Sequence, residues 1–215
     1  MSSLRVRQSI QHIQHLYNSN EDRSKLENLI RAFRGIQELS PCKENSFYHL
    51  AGLHGMPFHD KGETDPEWWG GYCWHRTVLF PTWHRIHLLE FENALRSIPG
   101  CQDVTLPFWD ELVREDDPRI PRIPSIFTSP TFDLDGRTDN PLYSYKFQKE
   151  VTSGKNGFSK YSKYKGYNTV RYPFSGEYHV PVPCYNCRML IYSWSQKVTG
   201  HNISDAQDHV PHYFL

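Results

Sequence analysis

The part of this chain that most constrains its fold runs from residue 70 to residue 85 and reads G-G-Y-C-W-H-R-T-V-L-F-P-T-W-H-R. It places His75 and His84 nine positions apart. An amphipathic pattern then follows, in which apolar residues recur on the same face as the second histidine. We therefore predict a long helix over residues 82–95, with a core-facing stripe of His84, Leu88, Phe91 and Leu95.

A third histidine lies at the end of a shorter helical pattern. Apolar residues at positions 47, 50 and 51 precede His54 at helical spacing, and Gly55 and Pro57 follow it. We expect a short helix that presents His54 on its apolar face. Two earlier helices are predicted by the same periodicity, one through Val6, Ile10, Ile13 and Tyr17 and one through Leu26, Leu29, Ile30 and Phe33.

Composition excludes several function classes. The 215 residues contain 24 Lys and Arg and 24 Asp and Glu, so the net charge is zero. A balanced charge does not predict binding to nucleic acid or to an anionic membrane surface. The sequence has no apolar run typical of a signal peptide or membrane span, and its five cysteines are scattered. These features predict a cytoplasmic protein.

The three histidines together predict a metal site. Neutral imidazole is a ligand that copper and zinc favour, and three imidazoles leave a coordination position open for chemistry. The pattern leaves the metal undecided. His49, His59 and His87 lie off the apolar stripe or in loops, so they are interpreted as ordinary core or loop residues.

Several motifs resemble one family. F-Y-H-L-A-G-L-H-G-M-P-F at 47–58, G-G-Y-C-W-H at 70–75, L-F-P-T-W-H-R at 79–85 and L-P-F-W-D-E at 106–111 are similar to the first copper-binding half of type 3 copper proteins. The form L-P-F-W-D-E, together with V-R-Y-P-F-S-G at 170–176, is most similar to the fungal-type tyrosinase and catechol oxidase family. The resemblance implies a mainly α fold, a tyrosinase-like helical bundle.

The resemblance also implies a cofactor and a reaction. It assigns His54, His75 and His84 as ligands of the first of two coppers, and a thioether crosslink between Cys73 and His75. It assigns no separate catalytic residue. The implied activity is that of an oxidoreductase, including monooxygenase chemistry, which uses O2 to oxidise a monophenol or an o-diphenol to a quinone.

The second copper site of that family is not recognisable in the sequence. It requires an H-x-x-x-H pair on a helix, and none occurs after residue 85. We therefore divide the chain into a tyrosinase-like domain at 1–176, truncated before its second copper half, and a divergent tail at 177–215. The histidines of the tail are His179, His201, His209 and His212.

Three hypotheses follow, and the sequence leaves them open. The chain belongs to a phenol oxidase, to a haemocyanin-like oxygen carrier, or to a non-catalytic mononuclear metal-binding remnant. Cys184 and Cys187 form a lone C-x-x-C whose spacing to later histidines fits a zinc finger poorly. The oligomeric state and the choice between monophenol and diphenol substrates are not encoded in a readable motif.

Between the motifs, two segments are predicted to lack long regular elements. Prolines at 118, 121, 124 and 130 indicate an irregular region over 116–141, and residues 106–110 indicate a compact apolar turn.

Overall fold

Helices dominate the regular structure of the part of the chain that the computed structural model describes, which is residues 4–54, 72, 77–109, 124–151 and 163–169. The elements are α1 (Ile10–Asn18), α2 (Ser24–Glu38), α3 (Phe47–His54), α4 (Phe80–Arg96), α5 (Ser125–Thr128), β1 (Thr131–Leu134) and β2 (Arg137–Asp139). Among these helices, none is both long and apolar enough to cross a membrane.

The predicted helices are confirmed, with shifted ends. The first begins at Ile10, where the Ser9 side chain accepts a hydrogen bond from the Gln11 amide. Val6 therefore lies outside it and is 65% exposed. α4 begins two residues earlier than predicted, with Pro81 in its first turn, a position that needs no amide donor. Gly100, at φ +81°, follows the end of α4.

The core is built around α2. Its apolar stripe faces α1, α3 and α4, and the largest fully buried apolar side chains come from these helices: Ile10, Leu26, Leu29, Ile30, Ile36 and Leu95. The ring of Phe91 on α4 lies 5.8 Å from that of Phe33 on α2 and 5.9 Å from that of Phe47 on α3. Through this packing on α2, single residues of α3 reach α4, at Phe47 with Phe91 and at His54 with His84, and the site depends on the second of these contacts.

α2 also approaches the end of α4 closely. A Cβ atom built on Gly35 would come within 2.8 Å of the Ile98 side chain, so this crossing requires glycine. The close contact holds the C-terminal end of α4 against α2.

Of the two predictions for the loop regions, one is only partly met and the other is wrong: the described part of 116–141 has no long element, as predicted, but it is not irregular throughout. The region predicted to be irregular contains α5 and the antiparallel pair β1–β2, joined by Asp135 and Gly136 at φ +54° and +73°. The D-G pair is a strong signal for a tight hairpin, and the prolines before it obscured that signal. The second segment is extended rather than a turn, because Phe108 exchanges backbone hydrogen bonds with Gln8 and Ile10.

A buried arginine attaches this hairpin to α2. Arg34 is 5% exposed and donates hydrogen bonds to the carbonyl oxygens of Phe132, Leu134 and Asp139. Its Nε atom lies 3.4 Å from the Asp139 carboxylate. One guanidinium thus satisfies several backbone acceptors that would otherwise be buried without donors.

Replacing this arginine should destabilise the fold without affecting α4. We expect Arg34→Met to lower the free energy of unfolding by about 3 kcal/mol, because it leaves buried carbonyl oxygens without hydrogen-bond donors. Arg137→Gln is the control, since Arg137 is 43% exposed and its ion pairs should contribute less than about 1 kcal/mol. Urea denaturation of both variants measures the difference, and equal losses would contradict the assignment.

Candidate metal centre

Two of the predicted ligands meet where the end of α3 reaches the first half of α4. His54 is the last residue of α3, and His84 lies in the first half of α4. Their Nε2 atoms are 3.1 Å apart, although the residues are 30 positions apart in the chain. The ring centroids are 5.2 Å apart, so the rings face each other nearly end to end.

The backbone of α4 fixes the protonation of His84. Its Nδ1 atom lies 2.7 Å from the carbonyl oxygen of Phe80, one turn earlier. A carbonyl oxygen can only accept, so Nδ1 carries the proton, and in the neutral ring Nε2 keeps its lone pair. This is the arrangement in which an imidazole can bind a metal through Nε2.

The separation of the two Nε2 atoms suits a shared ion. Ligand nitrogens about 2.0–2.1 Å from a metal lie roughly 3 Å apart when they occupy neighbouring coordination positions. Both rings would have to turn slightly from their end-to-end arrangement for the lone pairs to converge. Two neutral imidazoles form a donor set that fits copper or zinc.

Burial of these histidines differs from the prediction. His54 is exposed and His84 is only half-buried, so the expectation that both face the core is wrong for His54 and only partly met for His84. The stripe on α4 is fully buried at Leu95, but Leu88 is 39% exposed. The reason is that α2 packs on the C-terminal half of α4 and leaves the histidine-bearing half uncovered.

Aromatic side chains connect the histidine pair to the core. The ring of His87 stacks on Trp83 at 4.8 Å and lies 6.0 Å from that of His54. Burial, together with the neighbouring His54 and His84, lowers the pKa of His87 below its ordinary value. His87 therefore stays neutral at neutral pH. The sequence analysis placed it outside the site, although its spacing of three from His84 puts it on the same helix face.

The exposed face beside the site is apolar. Val78, Leu79 and Phe80 lead into α4 with 90%, 52% and 44% exposure. Farther along the helix, Ile86 and Leu89 are 63% and 45% exposed. Exposed apolar side chains that are grouped on one surface mark a place that further protein usually covers.

The remaining predicted site residues, Cys73 and His75, lie outside the described residues. Tyr72, immediately before them, is described, and its amide donates a 2.9 Å hydrogen bond to the carbonyl oxygen of Leu53. Tyr72 is therefore held against the end of α3, one residue before His54. Within the described residues, which lack His75, no three His, Cys, Asp or Glu side chains are grouped to hold one ion.

Comparison with known proteins identifies relatives of this chain. The model of the common central domain of tyrosinase matches residues 44–211. The tyrosinase HcTyr2 of Hahella sp. is 47% identical over 185 residues, covering 81% of this chain and 32% of the relative. A tyrosinase of Aspergillus oryzae is 47% identical over 154 residues, covering 71% of this chain and 27% of the relative.

A solved structure shows the same fold. Tyrosinase from Burkholderia thailandensis superposes with a TM-score of 0.69 at 40% identity, covering 93% of this chain and 38% of that one. The chain therefore spans about a third of the length of these relatives. Tyrosinases are copper oxidoreductases with a dinuclear copper centre. The family match extends beyond residue 176, and the domain boundary predicted there stays a prediction.

Removing one histidine should abolish tight metal binding. We expect His84→Gln to weaken Cu(II) binding by more than about 100-fold, beyond the 10–100-fold cost typical of losing an outer-shell partner. His12→Gln on α1 is the matched control, because His12 is exposed and lies on a different helix. Competition titration against a chelator measures both affinities, and equal affinities would remove His84 from the site.

Proposed function

Because the chain belongs to the tyrosinase family, we propose that it supplies the first copper site of a phenol-oxidising type 3 copper enzyme. The ligands in this proposal are His54, His75 and His84. The observation that carries it is the 3.1 Å approach of the His54 and His84 Nε2 atoms, presented by α3 and α4. The substrates proposed are a mono- or o-diphenol and O2.

Each residue of the described site has a defined task in this proposal. A copper pair held by these histidines and those of the second site would supply the chemistry with O2 that oxidises a phenol to a quinone. His84 is held in the binding tautomer by the Phe80 carbonyl oxygen. Trp83 and His87 form an aromatic wall behind the ligands. That wall excludes water from one side of the site and limits rotation of the rings.

The uncovered half of α4 supports a further part of the proposal. Its exposed apolar residues surround the histidine pair. The chain spans about a third of the length of its tyrosinase relatives. We therefore propose that the polypeptide carrying the second copper site covers this face, so that six histidines meet in one dry cavity.

The two other hypotheses differ in measurable ways. A haemocyanin-like carrier would bind O2 at the same centre but would not turn over catechol. A mononuclear remnant would bind one ion and gain no activity when a second site is supplied. Turnover of catechol in a complete dinuclear context therefore decides among the three.

A chimera provides that context. The 185-residue stretch of HcTyr2 that aligns with this chain is replaced by the corresponding residues of this chain. We expect the chimera to bind two coppers and to convert catechol to quinone, followed by absorbance and O2 consumption. His84→Gln in the chimera should reduce kcat/KM by at least about 1,000-fold, because the first copper is lost.

His12→Gln in the same chimera is the control and should retain activity. A folded chimera that binds two coppers and O2 without oxidising catechol would favour the carrier. A folded chimera that binds a single copper would contradict the proposal and favour the mononuclear remnant.

The crosslink between Cys73 and His75 is a separate prediction. Forming a thioether removes one hydrogen from the thiol and one from an imidazole carbon, with O2 as the oxidant. After copper and O2 treatment, the proteolytic peptide containing both residues should be lighter by two hydrogen atoms. The Cys73→Ser peptide should keep its calculated mass, and an unchanged wild-type peptide that still reacts with a thiol reagent would rule the bond out.

A further inference from the structure

A buried carboxylate joins α4 to two other segments of the chain. Glu92 is 1% exposed, and Leu106 donates its amide to Oε2 of this residue at 2.9 Å. Arg7 donates Nε to the same oxygen at 3.1 Å, and Arg5 donates Nη1 to Oε1 at 3.2 Å. Arg5 also binds the side-chain oxygen of Asn93 at 2.8 Å. Glu92 is thus the common acceptor for three groups.

These contacts join α4 to both the N-terminal segment and the extended segment at 104–109, which also bind each other. Phe108 accepts from the Ile10 amide at 2.8 Å and donates to the Gln8 carbonyl oxygen at 3.1 Å. Glu92 contacts both segments, through Arg7 of the first and Leu106 of the second. Burial alone would raise the pKa of Glu92, but hydrogen bonds from Leu106, Arg7 and Arg5 outweigh it, so the pKa is lowered and the group stays ionised.

The position of Glu92 on α4 allows its contacts to influence the orientation of the helix at the metal site. It lies eight residues, slightly more than two turns, after His84 on the same helix. The histidine-bearing half of α4 has its outer face exposed, with Ile86 at 63%, so the orientation of that half depends strongly on contacts farther along the helix. Ligands of a metal must be held within about 0.5 Å of their working positions.

We propose that Glu92 is a positioning residue: its ion pairs with Arg5 and Arg7 fix the orientation of α4 so that His84 meets His54. The proposal rests on the proposed function, in which both histidines bind copper. It differs from a general stabilising role, which would change the free energy of unfolding without specifically loosening the histidine-bearing half of α4.

The test compares three variants of the full chain. Glu92→Gln removes the charge and keeps the shape. Glu90→Gln makes the same change two residues away, on the exposed surface of the same helix. Arg34→Met destabilises the protein through the hairpin, away from α4. Arg7→Gln replaces Glu92→Gln if that variant does not fold, because the Arg7 side chain is 36% exposed and tolerates substitution better.

Hydrogen exchange of the metal-free proteins is the deciding measurement. We expect Glu92→Gln to speed exchange across residues 80–88 by at least about tenfold more than Arg34→Met does, because only the former releases α4 locally. Glu90→Gln should exchange like the wild type. Equal acceleration in Glu92→Gln and Arg34→Met would overturn the proposal.

Copper affinity is the second measurement. Under conditions where every variant is folded, Glu92→Gln should bind Cu(II) about 10–100-fold more weakly than the wild type, and Arg34→Met should bind it normally. Unchanged affinity in Glu92→Gln would also overturn the positioning role. A wild-type chain that binds no copper would instead refute the proposed function, while the exchange experiment would still decide whether Glu92 orients α4.

Discussion

The packing of α2 against its three neighbours is the constraint on which the described structure depends. Its fully buried side chains, among them Leu29, Ile30 and Ile36, form the centre of the core. Burial of apolar surface on this scale is the main favourable contribution to folding. Because α3 and α4 both lie against α2, this packing sets their relative position approximately and brings His54 and His84 close enough for their Nε2 atoms to come within 3.1 Å.

The two halves of α4 differ in how deeply their side chains are buried. The second half of the helix carries buried residues, including Glu92 and Leu95, and is held on several sides. The first half carries His84 and leaves apolar side chains exposed. Such an arrangement suits a site completed by further protein, since a metal site between two halves must be uncovered on one side until the second half is in place. The length of the tyrosinase relatives is consistent with this division.

Two buried charged side chains connect segments that are far apart in the chain. Arg34 attaches the β1–β2 hairpin to α2, and Glu92 attaches the N-terminal segment to α4. Each makes several hydrogen bonds, which offset much of the cost of burying a charge. Both connect segments that lie about 80 or more positions apart in the chain. They are therefore the contacts that hold together elements whose apolar faces alone would fix only approximate positions.

The sequence by itself determined the helices, the family and the histidines that helices present, because helical periodicity and short motifs are local properties that neighbouring residues specify. It failed for the β1–β2 hairpin, where prolines outweighed the D-G signal, and for the exposure of His54. Only the tertiary structure decided the 3.1 Å approach of His54 to His84, the Phe80 contact that sets the tautomer, and the clustering of arginines on Glu92. Those features join residues that are distant in the chain or depend on side-chain orientation. A local sequence pattern does not specify which distant groups come into contact.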